Sequence, residues 1–384
     1  MKKFSVNLKS YFDRTDKVFW FISISISIYS LLLLLSVSRN SNFSYFKTQL
    51  VSVIVGYIGA YLITKSDYRV IANYWYIVAG ICLFLIVCTF VFGTSVTGNS
   101  GVDAKAWIKL PGGVTFQPSE LAKIGFIITF SKHLSEVKDK DELKSIKQLA
   151  FLGMHAIVPI ALTHLQGDDG AAIIFSFMFL FMAFAAGVQL RYFVGLFVAG
   201  VVSIPFLWNY VLADYQKQRL LSQLNPESDP LGIGFQQSQG KLSIGSGKIF
   251  GQGLFHGPRV GYGSVPIQQS DFIFSVAGEE LGFIGCIIIV LLLLAMFLRT
   301  LKIAFDSSDN MGSYMCFGFL GMVVSQTVFN LGMCLGLLPV IGVTLPFFSA
   351  GGSSAACLYL GLGLVQSVYM QRYDDNLAHR EKHE

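Results

Sequence analysis

"QQSDFIFSVAGEELGFIGCIIIVLLLLAMFLRT", residues 268–300, decides the fold. From Phe272 to about Arg299 the run is apolar, broken mainly by glycines and by Glu279 and Glu280. About 20 apolar residues cross the ~30 Å of hydrocarbon in a bilayer. A carboxylate inside it costs roughly 2.5–3.5 kcal/mol even on permissive insertion scales. Three carboxylates, Asp271, Glu279 and Glu280, at one end of a membrane-length segment therefore need a reason.

The same apolar pattern recurs along the chain. Hydrophobic residues make up 53% and charged residues 13%, against about 25% charged in soluble domains; mean hydropathy is +0.59. Apolar runs fall at 18–38, 49–64, 74–93, 118–134, 149–164, 170–187, 190–212, 272–298, 312–335 and 350–371. The first is too long and too far from the N-terminus, with no small-residue cleavage site, for a signal peptide. We expect an all-α polytopic membrane protein of about ten transmembrane helices. It is one integral membrane domain, 1–384, with a large extracytoplasmic loop at 213–270 between the seventh and eighth helices.

Lys and Arg stay disproportionately on the cytoplasmic side of short loops. With the N-terminus inside, 18 of the 28 basic residues fall on that face and nine outside, five of these in the long loop; Lys123 lies within a helix. Both termini are thus expected in the cytoplasm of a multi-pass protein. The net charge of +5 then reflects topology, and no nucleic-acid partner is implied. None of the six cysteines forms a CxxC pair, which argues against disulfides or zinc. His155 and His164 are nine residues apart, on opposite faces of one helix. "IGSGKIFGQG" lacks the glycine a phosphate loop needs, because position 242 is Leu.

Acidic groups gather at the outer ends of the helices. "FQPSELAK" puts Pro118 and Glu120 in a first helical turn, where proline and negative charge are favoured, with Lys123 one turn deeper on the same face. "LQGDDGAA" places Asp168 and Asp169 outside, and Asp271 opens the eighth helix. Together they suggest a shared polar cavity opening outward. Each also has a plainer reading. Asp271 could cap its helix, Glu120 and Lys123 could be a neutralised structural pair, and Asp168 and Asp169 could solvate a turn. Trp107, beside a hairpin turned at Pro111-Gly112-Gly113, could belong to an interfacial belt or form a lid.

In the long loop, alternating apolar and glycine residues suggest short amphipathic pieces on the membrane surface, with Arg259, Lys241 and Lys248 near lipid phosphates. A second irregular stretch, "GLLPVIGVTLPFFSAGGSS" at 336–354, carries Pro339 and Pro346 and cannot be one helix. Such backbone survives at membrane depth only when buried in protein or lining a cavity.

Four motifs in order, "AWIKL…FQPSELAK", "NPESDPLGIGFQ…GSGKIFGQGL", "SDFIFSVAGEELG" and "GLLPVIGVTLPFFSAGGSS", resemble the SEDS family (shape, elongation, division, sporulation), and its RodA-like members in particular. The resemblance covers essentially the whole chain. It implies a ten-helix peptidoglycan glycosyltransferase of the bacterial inner membrane, polymerising the undecaprenyl-linked disaccharide lipid II at the outer face for cell elongation and shape. It also implies a class B penicillin-binding protein, a transpeptidase, as partner. Gly318, Gly321 and Gly361 are expected to let that partner's membrane helix approach closely.

By the same resemblance Asp271 matches the essential acid of "TDFIF", Trp107 a functional tryptophan of the first large outer loop, Glu120 and Lys123 the "QPSExxK" pair, and Asp168 the aspartate of "QPDLGTA". The chain departs from the family at Gln269-Ser270, where His-Thr is usual, at Gln166-Gly167-Asp168, and at Thr48-Gln49, where Arg-Gln is usual. Asp271 is the expected catalytic base. Trp107, Glu120, Lys123, Asp168, Arg259 and Glu280 are the expected substrate-binding residues. No cofactor is required by the sequence; a divalent cation (Mg or Mn) bridging pyrophosphate to a carboxylate is compatible with it. Membrane lipids complete the expected surroundings. A lipid II flippase fits the same charges but needs a polar path to both faces; a scaffold would leave the intramembrane acids without purpose.

The charge bias makes a direct prediction. A reporter fused after Glu384 should be cytoplasmic, and one inserted near Ser228 should be external by protease accessibility or alkaline phosphatase activity. Finding both on one side would overturn the topology.

Overall fold

The structure, a computed structural model, describes residues 8–94, 104–109, 115–224 and 232–381. In chain order the elements are α1 (Leu8–Arg14), α2 (Lys17–Val37), α3 (Ser44–Lys65), α4 (Tyr68–Asn73), α5 (Trp75–Phe92), strands β1 (Ile108–Lys109) and β2 (Thr115–Phe116), α6 (Pro118–Asp139), α7 (Ile146–Leu165) and α8 (Asp169–Ala185). There follow α9 (Leu190–Phe206) with a π turn (Leu207–Val211), α10 (Asp214–Leu224), α11 (Ile233–Ser246), α12 (Pro258–Gly261), α13 (Ile273–Phe305), α14 (Asn310–Cys334) and α15 (Gly352–Glu381). Every apolar run of the sequence coincides with one of these helices. Eight of the described helices are long and apolar enough to cross a membrane; α8 is a shorter apolar helix, and α6 is more charged.

Aspartates set several helix starts. Asp16 accepts from Phe19 N, Asp168 from Ala171 N and Asp309 from Gly312 N, each satisfying an N–H that the helix leaves without a partner. Helices α14 and α15 form the buried centre, with α6, α8 and α13 packed around them and α3 laid along α15. α9 is the exception, with no buried residue, and Pro205 precedes its π turn. The chain enters α2 and leaves α15 at one end of the bundle. The starts of α3, α6, α8, α13 and α15 gather at the other.

The long helix α13 is not continuous. Gly282 has φ 66° and ψ −161°, which breaks the hydrogen-bond ladder in an apolar setting. Residues 248–253 of the long loop repair it. Gln252 N and Gly253 N donate to the carbonyls of Glu279 and Glu280, and Phe283 N and Ile284 N donate to those of Lys248 and Ile249, at 2.9–3.2 Å. This backbone-to-backbone contact accounts for the glycines of "IGSGKIFGQG". A Cβ on Gly247 would sit 1.9 Å from the Gly278 carbonyl oxygen, and one on Gly251 2.2 Å from that of Glu280. Much of the loop is therefore built into the bundle. α11 packs against α13, and Gln237 Nε2 donates to the carbonyls of Met333 and Leu338 at 2.9 Å. That corrects the expectation of pieces lying on the membrane surface.

Between α14 and α15 the chain is irregular, with positive φ at Gly336, Gly342 and Phe347, as the two prolines require. The glycines expected to face a partner helix are occupied internally: Gly318 abuts Met182 and Ile127, Gly321 abuts Phe181, and Gly361 abuts Phe319. Their small size serves packing within the bundle. The arms of the expected hairpin pair antiparallel, Ile108 opposite Phe116; its turn at 111–113 lies outside the described residues.

Gly251→Ala should destabilise the protein by at least about 1–3 kcal/mol, from a positive φ of 79° that alanine tolerates poorly, before the carbonyl clash is added. Gly245→Ala, in α11 with nothing within 4 Å, should be neutral or stabilising by up to about 1 kcal/mol. Thermal unfolding in detergent compares the two, and equal melting temperatures would refute the repair role of the loop.

Candidate functional site

The gathered helix starts enclose a cavity of about 700 Å³. Trp107, Glu120, Lys123, Asp168 and Asp271 all line it, together with Arg219 and Gln326. It is the shared polar cavity that the sequence suggests. Arg259 and Glu280 are not among its lining residues. Glu280 Oε1 accepts from Ser36 Oγ at 2.5 Å, and Glu279 Oε1 accepts from Arg259 N at 2.7 Å. Arg259 turns its guanidinium to Ser243 Oγ and Gln239 Oε1. These acids anchor the loop that repairs α13, so their burial has a structural cause.

At the cavity's inner end Lys123 Nζ lies 2.9 Å from Glu120 Oε1, with 1% and 7% of the two residues exposed. Proline at the first helical position and the i,i+3 spacing produce this pair locally. Asp168 holds one rim: its Oδ2 accepts from Gln117 Nε2 at 2.7 Å and Ser119 Oγ at 3.1 Å, while Oδ1 caps α8. Burial pushes its carboxyl above the ordinary range, while the Ala171 N–H and Lys123 pull it down. Asp169 faces His164 Nδ1 at 2.7 Å and Gln216 Nε2 at 2.8 Å. Trp107 holds its place through its carbonyl, which accepts from Thr94 N at 2.7 Å.

Asp271 does not cap α13. The N-cap is Phe272, and no side chain caps the helix. Instead the backbone beneath Asp271 is clamped. Asn330 Nδ2 donates to the carbonyls of Asp271 and Val343, both at 2.8 Å. Cys334 Sγ also donates to Asp271 O at 3.4 Å, Ser349 Oγ to Ser270 O at 2.6 Å, and Ala350 N to Gln269 O at 2.8 Å. Three successive carbonyls are thus tied to α14 and the irregular segment, leaving the carboxylate at the cavity wall. Burial pushes the Asp271 carboxyl up to about 6, against lowering contributions from the Ser270 side chain and Arg219.

Arg219 of α10 and Gln326 of α14 are cavity residues that sequence reasoning missed. The segment "DYQKQRLLSQL" offers nothing that ranks Arg219 above Lys217 or Arg259; only the fold of the loop selects it. Among the described residues no three His, Cys, Asp or Glu side chains are grouped to hold a metal ion. A divalent cation here would take some of its oxygen ligands from a bound phosphate or water.

Fold and site together define an integral, polytopic helical membrane protein with a charged cavity among the gathered helix starts. The family model described as "Cell cycle protein", FTSW_RODA_SPOVE, matches residues 16–374. A probable peptidoglycan glycosyltransferase FtsW of Geobacter metallireducens is 33% identical over 373 residues, covering 95% of this chain and 97% of that protein. The peptidoglycan glycosyltransferase MrdB of Escherichia coli K12 is 33% identical over 372 residues, with the same coverage. A chain from a peptidoglycan synthase complex, in a study of the structural coordination of polymerization and crosslinking, superposes with a TM-score of 0.80 at 29% identity, covering 94% of this chain and 99% of that one. The chain belongs to the FtsW/RodA/SpoVE family, the SEDS family.

The buried pair can be tested apart from chemistry. Lys123→Met leaves Glu120 buried without its cation and should cost about 3–5 kcal/mol, whereas Lys123→Met with Glu120→Leu should recover most of it. Thermal denaturation of the purified variants measures both; a single variant as stable as wild type would show that the pair contributes no stability.

Proposed function

We propose that this chain is a peptidoglycan glycosyltransferase that joins lipid II disaccharide units into glycan strands at the outer face of the bacterial inner membrane. The observation that carries the reading is the cavity, with a clamped carboxylate, Asp271, across from a buried cation, Lys123. A glycosyl transfer needs a base for the acceptor hydroxyl and positive charge for the departing pyrophosphate. Asp271 takes the proton of the acceptor sugar hydroxyl as that oxygen bonds to the anomeric carbon. The bond from that carbon to the pyrophosphate oxygen breaks, and Lys123 and Arg219 balance the charge that leaves. Asp168, held by Gln117 and Ser119, shapes the sugar-facing rim, and Trp107 covers it.

The positive-inside bias supports both termini in the cytoplasm, ten spans, and a cavity opening to the outside. One integral domain over 1–384, with 213–270 as its large outer loop, belongs to the same reading. A class B penicillin-binding protein as partner and a role in elongation and shape rest on family membership and on the RodA-like motifs. The flippase reading is weakened by the layer below the cavity. Towards the other end of the bundle, α6 and α14 bury Ile127, Phe130, Leu134, Met315, Phe319 and Met322, an apolar barrier to a sugar pyrophosphate.

Asp271→Asn removes the base without removing a helix cap. Polymerisation of lipid II by the purified protein with its transpeptidase should fall 10²–10⁴-fold. Wild-type rate should rise tenfold per pH unit below about pH 6 and level off above it, because the base works only when ionised. The ordinary aspartate value is near 3.9, so the raised value means that ionisation costs native stability as pH rises through about 6. The Asn variant should therefore be at least as stable as wild type at pH 7. Near wild-type polymerisation by Asp271→Asn would remove Asp271 as the base.

A further inference from the structure

We propose that Gln326 is a substrate-reading residue, accepting a hydrogen bond from a hydroxyl or acetamido N–H of the amino sugar bound in the cavity; this rests on the polymerase reading above.

Gln326 lines the cavity yet is 2% exposed, and its Oε1 meets no donor among the described residues. A buried carbonyl without a partner is costly and uncommon. The neighbouring polar groups of the cavity are engaged: Glu120 with Lys123, Asp168 with Gln117 and Ser119, and Asn330 with two carbonyls. Helix geometry fixes where Gln326 stands. It lies one turn below Asn330 on the same face of α14, and Asn330 holds the backbone of Asp271. Gly318 packs on Ile127; because α14 and α6 run antiparallel, that contact puts Gln326 level with Ser119 and Glu120. The carboxamide thus sits between the proposed base and the buried Lys123–Glu120 pair, where a sugar ring held for transfer must pass.

The chemistry of the orphan atom selects the ligand. A carbonyl oxygen accepts, so it pairs with hydroxyl or amide N–H groups and repels phosphate oxygens. Amino sugars carry both kinds of donor. A site built to hydrogen-bond such a donor discriminates against ligands that lack it.

The test compares Gln326→Leu, which is similar in size and removes the orphan atom, with wild type. Initial rates of lipid II polymerisation give kcat and KM, and undecaprenyl pyrophosphate, which has no sugar, is titrated as a competitor. We expect KM for lipid II to rise roughly tenfold, the size of one lost hydrogen bond, with a much smaller change in kcat. The inhibition constant of undecaprenyl pyrophosphate should stay unchanged, and melting temperature should hold or rise. Gln326→Met, with only a weak acceptor sulfur, should reproduce the result if the leucine variant folds poorly. An unchanged KM in a folded variant overturns the proposal while leaving the polymerase reading intact. Equal weakening of both ligands also overturns it, since a carboxamide turned the other way would be donating to phosphate. Wild-type protein that neither polymerises nor binds lipid II sinks the polymerase reading itself, and this inference with it.

Discussion

Hydrocarbon offers no partner to a bare N–H or C=O, and this architecture follows from meeting that constraint in places where the chain cannot be helical. The Asn330 carboxamide is the central case. Its two hydrogens satisfy the carbonyls of Asp271 and Val343, which belong to separate irregular stretches on either side of α14. Ser349 and Ala350 then join the same stretches a second time through Ser270 and Gln269. The break at Gly282 is met in another way, by laying loop backbone against helix backbone, which only glycine-rich chain can approach closely enough to do. Both solutions draw irregular chain into the bundle, and the first of them sets a wall of the cavity.

The same constraint sorts the acids into two kinds. Glu279 is spent on the loop, through the Arg259 N–H, and Glu280 on the Ser36 hydroxyl of α2. At the opposite end Asp16 caps α2 and also meets Arg299 at 2.6 Å, joining α2 to α13. Asp168 does both kinds of work, capping α8 with one oxygen and facing the rim with the other. Asp271 differs from all of these, because its fixed position comes from its carbonyl. A side chain held through its main chain keeps its carboxylate available for chemistry, at the cost of ionising in a buried place. That cost appears as a carboxyl pushed up to about 6.

Much of this was legible in the sequence, for reasons tied to local rules. Apolar length marked the helices, Pro118 and the i,i+3 spacing marked the Glu120–Lys123 pair, and the prolines at 339 and 346 marked the irregular segment. Glu120, Asp168, Asp169 and Asp271 were placed at one cavity by their common end of the helices, and Trp107 by the family resemblance. What failed was non-local. Distance along the chain put Glu280 near Asp271, yet the break at Gly282 and the inserted loop gave it other partners. Arg259 was favoured over Arg219 because an isolated basic residue carries no sign of where its loop will fold. Gly318, Gly321 and Gly361 look alike in sequence whether they face a partner or Met182, Phe181 and Phe319.

Gln326, Asn330 and Cys334 stand one turn apart on a single face of α14, and they tie the fold to the site. The upper two spend their hydrogens on the backbone that positions Asp271. The lowest has an acceptor left over, at the level where α6 presents Glu120. Below it Met322 and Phe319 continue the same helix in apolar form, so the polar stripe stops where the cavity stops. One helix face thus fixes the height of the base and marks the cavity floor. On this face of α14 a charged head group admitted from the cavity meets Met322 and Phe319 next, both buried and apolar, and nothing there replaces the water it would have to leave.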